Sequence, residues 1–262
     1  MTNKPTLVFS HANGFPGGSY KTFLAPFAKH YQVHAIDRLG HAPAFKVNNG
    51  WSNLVDELEQ HLETLPKPIV GVGHSLGGVT MFLLARRRPE WFTCLVMLDP
   101  PLVNGWPSVP FRLGMAFGLS DKLTPAGLSK SRRTHWASWD EVNAYFARRN
   151  FFQRFDARCL DDYLAAGIEP AEQGGLQLRF QRDVEVQVFR TGPPSTMGKP
   201  KLSVPGLLLS GKESTALFHQ AAARHCRHHK MEHLYAPGTH MFPLEQPAAA
   251  YKIIDVWLKK WR

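Results

Sequence analysis

Pro68-Ile69-Val70-Gly71-Val72 runs directly into Gly73-His74-Ser75-Leu76-Gly77, and the reading of this stretch decides the fold. The first half is a short apolar run with β-branched residues, the pattern of a buried strand. The second half is Gly-x-Ser-x-Gly opening a helical stretch. The chain must reverse sharply between strand and helix, which holds the serine in a strained conformation with its hydroxyl exposed. A side chain two positions before or after the serine would clash in so tight a turn, so both places call for glycine. Leu76 begins the helix, and its free N–H is placed to hold a developing oxyanion. The pattern points to Ser75 as an activated nucleophile.

Working outward, strand-like and helix-like segments alternate through the first hundred residues. Residues 6–10, 32–37 and 69–73 read as short buried strands, and 93–98 as another, closed by Asp99-Pro100-Pro101. Residues 20–30 lie between the first two. The spacing of Leu54, Val55, Leu58 and Leu62 predicts an amphipathic helix over 51–65, stopped by Pro66 and Pro68. Residues 76–88 form the helix after the elbow. This β-α alternation implies a parallel sheet covered on both faces. The rhythm breaks for about a hundred residues, where helical segments at 139–149 and 157–166 sit among Gly- and Pro-rich loops. Residues 176–189 fit either short strands or a helix. Strands resume at 204–210 and 231–235, and 248–261 is a final helix. The expected organisation is an α/β core of 1–101 and 202–262, with 102–201 inserted as a mainly helical cap.

Composition fits one large domain or one core with a lid: of 262 residues, 44% are hydrophobic and 20% charged. No apolar run reaches the ~18 residues that span a bilayer, and the start shows no signal-peptide pattern. Three widely spaced cysteines, Cys94, Cys159 and Cys226, suit reduced thiols and hence a cytoplasmic setting. The formal charge of +10 raises nucleic-acid or anionic-surface contact. The basic residues are dispersed, however. Arg86-Arg87-Arg88, Arg132-Arg133 and Arg148-Arg149 read as solvated helix ends or exposed turns, and no nucleic-acid motif accompanies them. His225, His228 and His229 read as a basic exposed stretch without a metal-ligand spacing. No cofactor or metal is called for, and oligomeric state is left open.

His11-Ala12-Asn13-Gly14-Phe15, Gly73-His74-Ser75-Leu76-Gly77-Gly78 and the run from Gly238-Thr239-His240 to Glu245-Gln246-Pro247 together resemble the α/β-hydrolase superfamily. The resemblance spans both core portions. It implies a mostly parallel sheet with a helical cap. The chain enters its first strand at Thr6, so the family's usual first two strands are missing and about six are expected.

The resemblance also assigns roles. His240 is the base that takes the proton of Ser75, and a carboxylate must hold its ring in the right tautomer. The family's usual acid position, aligned on Gly211, falls on Ser214, and a neutral hydroxyl cannot stabilise imidazolium as a carboxylate does. Glu213 and Asp99 are the two substitutes. Asp99 is preferred, because it ends a strand whose exit Pro100 and Pro101 fix. The backbone N–H groups of Asn13 and Leu76 form the oxyanion hole. A serine nucleophile excludes the dehalogenase and epoxide-hydrolase branches, which use a carboxylate. The expected reaction is acyl transfer to water on a small ester or thioester. Its acyl or aromatic group would lie in an apolar pocket that Trp106, Phe111, Met115, Phe117, Phe151, Phe152 and Phe155 could build. The alternatives are a carbon–carbon bond hydrolase or lyase, and a ligand-binding protein with a decayed triad.

Overall fold

The computed structural model describes residues 4–102 and 126–262. Trp106, Phe111, Met115 and Phe117 therefore lie outside the described residues. In chain order the first part carries β1 (Thr6–Ser10), α1 (Lys21–Leu24), β2 (Gln32–Ala35), α2 (Ser52–Glu63), β3 (Ile69–His74), α3 (Leu76–Arg87) and β4 (Phe92–Leu98). The middle part carries α4 (Ala126–Lys130), β5 (His135–Trp136), α5 (Trp139–Ala147), α6 (Asn150–Gln153), α7 (Ala157–Gly167), β6 (Ile168–Pro170), β7 (Leu176–Leu178) and α8 (Arg182–Arg190). The last part carries β8 (Gly206–Gly211), α9 (Ala216–His229), β9 (Glu232–Ala236), α10 (Phe242–Glu245) and α11 (Pro247–Leu258).

Among the described residues, six strands form one all-parallel sheet in the order β2-β1-β3-β4-β8-β9. The strand count and direction agree with the sequence reading. Alternate residues along each strand feed two cores, as the period of two requires. Leu7, Phe9, Val70, Val72, Val96 and Leu98 face one side, where Phe23 of α1 and Ile254 and Trp257 of α11 cover them. Val8, Ile69, Leu95 and Met97 face the other, under α2, α3 and α9. In α2 the predicted stripe is fully buried: Leu54, Leu58 and Leu62 are each 0% exposed, worth about 1.5–3 kcal/mol apiece. Lys67, between the two prolines that stop this helix, donates to the carbonyls of Leu62, Glu63 and Leu65, satisfying acceptors the helix end leaves open.

Several expectations are corrected, and the open choice over 176–189 is resolved. β2 is an edge strand with partly exposed residues, not a buried one. Residues 176–189 split into β7 and α8, and β7 joins β5 and β6 in a small antiparallel sheet. The arginines at the end of the elbow helix are clamps rather than merely solvated ends: Arg87 pairs with Asp56 and Glu59, Arg88 with Glu59, and Arg86 donates to the carbonyls of Gly198 and Pro200. His225 and His229 are buried, at 0% and 2% exposure, because they lie on the inner face of α9 against Phe82. Arg132 is mostly buried too, paired with Glu185. Among the described residues no helix is long and apolar enough to cross a membrane.

Strand order sets where chemistry can occur. From β1 the chain passes outward to β2, then crosses back to place β3 on the other side of β1. A crevice therefore opens beyond the carboxyl ends of β1 and β3, the usual ligand position in an open parallel sheet. The residues that leave those ends are Ser10-His11 and His74-Ser75.

Candidate active site

Ser75 sits between β3 and α3 with φ 52° and ψ −116°, the strained turn its sequence context requires. The flanking glycines are there for a steric reason. A Cβ on Gly73 would lie 2.2 Å from the Gly77 carbonyl oxygen, and one on Gly77 would lie 2.1 Å from that of Ser10. The Ser75 N–H donates to Leu98, which ties the elbow to the end of β4.

His240 lies in the turn between β9 and α10. Its Nε2 is 3.0 Å from Ser75 Oγ, and its Nδ1 is 2.8 Å from Asp99 Oδ2. A carboxylate can only accept, so Nδ1 carries the proton and Nε2 is left to accept from the serine hydroxyl. Asp99 follows β4, is 2% exposed and holds a positive φ of 40°. Its Oδ2 also accepts from Ser214 Oγ at 2.8 Å, and its Oδ1 accepts from the Gly211 N–H at 3.2 Å. Burial pushes the Asp99 carboxyl up. The hydrogen bond and charge of His240, with the Ser214 hydroxyl and Gly211 N–H, outweigh it and hold the group below the usual carboxylate range. Ser75, His240 and Asp99 thus come together in one chain of contacts. Glu213 does not join them: its carboxylate is exposed and pairs with Arg154.

Ser214 is the informative surprise. It occupies the position where the resemblance places an acid, and it reaches the Asp99 carboxylate from there. The negative charge stands at the end of β4, and a hydroxyl beyond the end of the neighbouring β8 holds it.

Three further residues position the site. His74 Nε2 lies 2.8 Å from the carbonyl oxygen of His240, so it must donate there. His74 Nδ1 is then an acceptor, and takes the proton of the Tyr20 hydroxyl at 2.7 Å. The same hydroxyl accepts from the Ala12 N–H at 3.3 Å. This buried run links the loop after β1, the elbow and the histidine turn. Burial, with the nearby His240, pushes His74 down to about 3, so it stays neutral. Glu245 is the third: it accepts from the Thr239 N–H and hydroxyl, bracing the turn that carries His240. The sequence signal for Glu245 was its place in the Gly238–Pro247 run, and for His74 its place inside the elbow. Tyr20 carried none.

Asn13 lies in the loop after β1 and Leu76 at the first turn of α3. That loop is fixed by the Gly77 N–H donating to His11 at 3.0 Å and the Phe15 N–H donating to Ala12 at 3.1 Å. Asn13 Nδ2 donates to the Glu185 carbonyl of α8 at 2.9 Å. Phe15 meets Phe151, Phe152, Phe155 and Tyr163, with ring centroids 4.9–6.4 Å apart. Helices α6 and α7 and the turn between them therefore pack directly on the loop beside Ser75.

Known proteins agree with this architecture. The chain is 36% identical over 99 residues to the type I acyl-CoA thioesterase mpaH of Penicillium roqueforti (strain FM164), a match covering 38% of this chain and 21% of that protein. It is 27% identical over 233 residues to the pimeloyl-[acyl-carrier protein] methyl ester esterase of Xanthomonas axonopodis pv. citri (strain 306), covering 84% of this chain and 82% of that one. The crystal structure of E-2-(acetamidomethylene)succinate hydrolase superposes with a TM-score of 0.77 at 19% identity, covering 98% of this chain and 92% of that one. A model of the alpha/beta hydrolase family matches residues 7–252. The chain belongs to the alpha/beta hydrolase family.

Proposed function

We propose that the protein is a serine hydrolase that cleaves a carboxylic ester or thioester through an acyl-enzyme on Ser75, with His240 as base and Asp99 as its orienter. The observation that carries this reading is the His240 ring bridging Ser75 Oγ at 3.0 Å and Asp99 Oδ2 at 2.8 Å. His240 Nε2 takes the hydroxyl proton as Ser75 attacks the acyl carbon, then returns it to the leaving oxygen or sulfur. Asp99 stabilises the imidazolium formed in between. The backbone N–H groups of Asn13 and Leu76 receive the oxyanion, a contribution of about 3–4 kcal/mol per donor in related chemistry. His240 then activates water, which releases the acid. An intact Asp99 contact favours catalysis over a ligand-binding protein with a decayed triad. The thioesterase and methyl-ester esterase among the relatives favour ester and thioester bonds over carbon–carbon cleavage. Residues 102–201 act as the cap, and the aromatic cluster around Phe15 forms one apolar wall of the acyl pocket. Three buried free thiols suit a cytoplasmic setting.

The reading is tested by turnover of butyryl p-nitrophenyl ester and a butyryl thioester by the purified protein and its Ser75→Ala variant. Turnover abolished by the substitution supports it. Turnover that survives in Ser75→Ala refutes it.

A further inference from the structure

Buried polar atoms in folded proteins nearly always have a hydrogen-bond partner, and a group of them without one calls for a physical explanation. Such a group gathers where α7, α8 and residue 132 meet the loop after β1. Arg132 Nε and Nη2, Tyr163 Oη, Glu185 Oε2 and Asn13 Oδ1 are all buried and have no hydrogen-bond partner among the described residues. They belong to one place. Arg132 Nη2 lies 3.0 Å from Glu185 Oε2, an ion-pair approach without an aligned N–H. Asn13 donates to the Glu185 main-chain carbonyl, and a Cβ on Gly14 would meet the Glu185 carboxyl at 3.1 Å. The Tyr163 ring lies 4.9 Å from that of Phe15, tilted by 44°, and is 0% exposed. Glu185 Oε1 is served by the Ser129 hydroxyl at 2.8 Å.

The Nε–H of Arg132 is open, and its Nη2 faces Glu185 Oε2 without an aligned N–H, so this side of the guanidinium fork keeps N–H groups to give to an oxygen. Glu185 already balances its charge. A carboxylate guest would meet Glu185 as well as Arg132, after a desolvation cost of several kcal/mol. An uncharged oxygen costs less to bury and fits the donors and acceptors left open. A carbonyl accepts from Arg132 and Tyr163. A hydroxyl does the same and can also donate to Asn13 Oδ1 or Glu185 Oε2. Asn13 belongs at once to this cluster and to the proposed oxyanion hole, so the guest oxygen lies a few bonds from the scissile carbonyl.

We propose that Arg132, Tyr163, Asn13 and Glu185 form a specificity subsite for an uncharged oxygen on the acyl group, selecting 3-hydroxyacyl or 3-oxoacyl substrates over plain acyl ones. This inference rests on the ester and thioester reading above for its place in catalysis. Its test compares kcat/KM for the N-acetylcysteamine thioesters of butyric, 3-hydroxybutyric, acetoacetic and succinic acids. The wild-type protein is expected to prefer 3-hydroxybutyryl or acetoacetyl over butyryl by about tenfold or more, the effect of one well-made buried hydrogen bond, with succinyl the poorest. Tyr163→Phe and Arg132→Lys should each pull that ratio towards one. The lysine keeps a charge beside Glu185 and removes only the fork, so the fold is preserved. Equal rates for butyryl and its oxygenated analogues mean the cluster holds only ordered water, and overturn the subsite while leaving the hydrolase reading intact. A preference for succinyl also overturns it. Calorimetry on Ser75→Ala separates the two readings. If no thioester is hydrolysed by the wild type, tighter binding of 3-hydroxybutyryl than of butyryl thioester upholds the subsite alone, and equal binding removes it as well.

Discussion

Replacing Asp99 with Asn should cost activity through a tautomer, and the surrounding hydrogen bonds dictate which one. Oδ1 of Asp99 accepts from the Gly211 N–H, which can only donate, so the amide oxygen of the new side chain must stay there. The amide nitrogen then takes the place of Oδ2, facing His240 Nδ1 and Ser214 Oγ. Ser214 can turn its hydroxyl and accept. His240 can only meet an N–H at Nδ1 by giving up its own proton there, which moves the proton to Nε2. That nitrogen lies 3.0 Å from Ser75 Oγ and can no longer accept from it. The same replacement in a serine-protease triad lowers kcat by roughly 10⁴, equivalent to about 5.4 kcal/mol of transition-state stabilisation. A loss of that order in kcat/KM for p-nitrophenyl butyrate is expected here, with the circular dichroism spectrum unchanged. Glu213→Gln serves as control, since Glu213 pairs with Arg154 at the surface, and should stay within a few fold. A kcat/KM within a few fold of wild type in Asp99→Asn refutes the orienting role of Asp99. A large loss in Glu213→Gln would move that role to Glu213.

Three other outcomes follow from the same geometry. Tyr20→Phe strips the buried His74 Nδ1 of its donor and the Ala12 N–H of its acceptor, so stability should fall by about 1–3 kcal/mol; an unchanged urea midpoint would contradict this. Gly77→Ala forces a Cβ to within 2.1 Å of the Ser10 carbonyl oxygen in a rigid backbone, so a destabilisation beyond about 4 kcal/mol is expected, seen as loss of folded soluble protein, and a well-folded variant would refute the close approach. Burial pushes His11, His74 and His225 down from the usual 6.5 to about 4, 3 and 3, so each stays neutral in the fold at pH 5 but is protonated in the unfolded chain. The unfolded state then binds the extra protons, and stability should fall by about 4 kcal/mol per pH unit on acidification from 6 towards 4. The depressed Asp99 carboxyl adds its own loss only below its usual 3.8. Flat stability over pH 6 to 4.5 in denaturant titrations would contradict the neutral buried histidines.

What could be read in the sequence was what short-range chemistry controls. The elbow was legible because Gly73, Ser75 and Gly77 each answer a local steric demand, and α2 because Leu54, Leu58 and Leu62 repeat on one face. Asp99 was legible in part, since it ends a strand whose neighbours are parallel and whose exit is fixed by prolines. The link from Tyr20 through His74 to the His240 carbonyl joins residues 54 and 166 positions apart, and no local pattern encodes it. Arg132 and the histidines of α9 were read as exposed because a run of cations resembles a solvated surface. Only tertiary packing against Glu185 and Phe82 buries them.

The most direct measurement is covalent labelling with a fluorophosphonate, followed by peptide mapping in the mass spectrometer. An activated serine predicts one adduct, on the peptide carrying Ser75, absent from Ser75→Ala and strongly slowed in His240→Gln. An adduct on another residue, or none on a folded protein, would contradict Ser75 as the nucleophile.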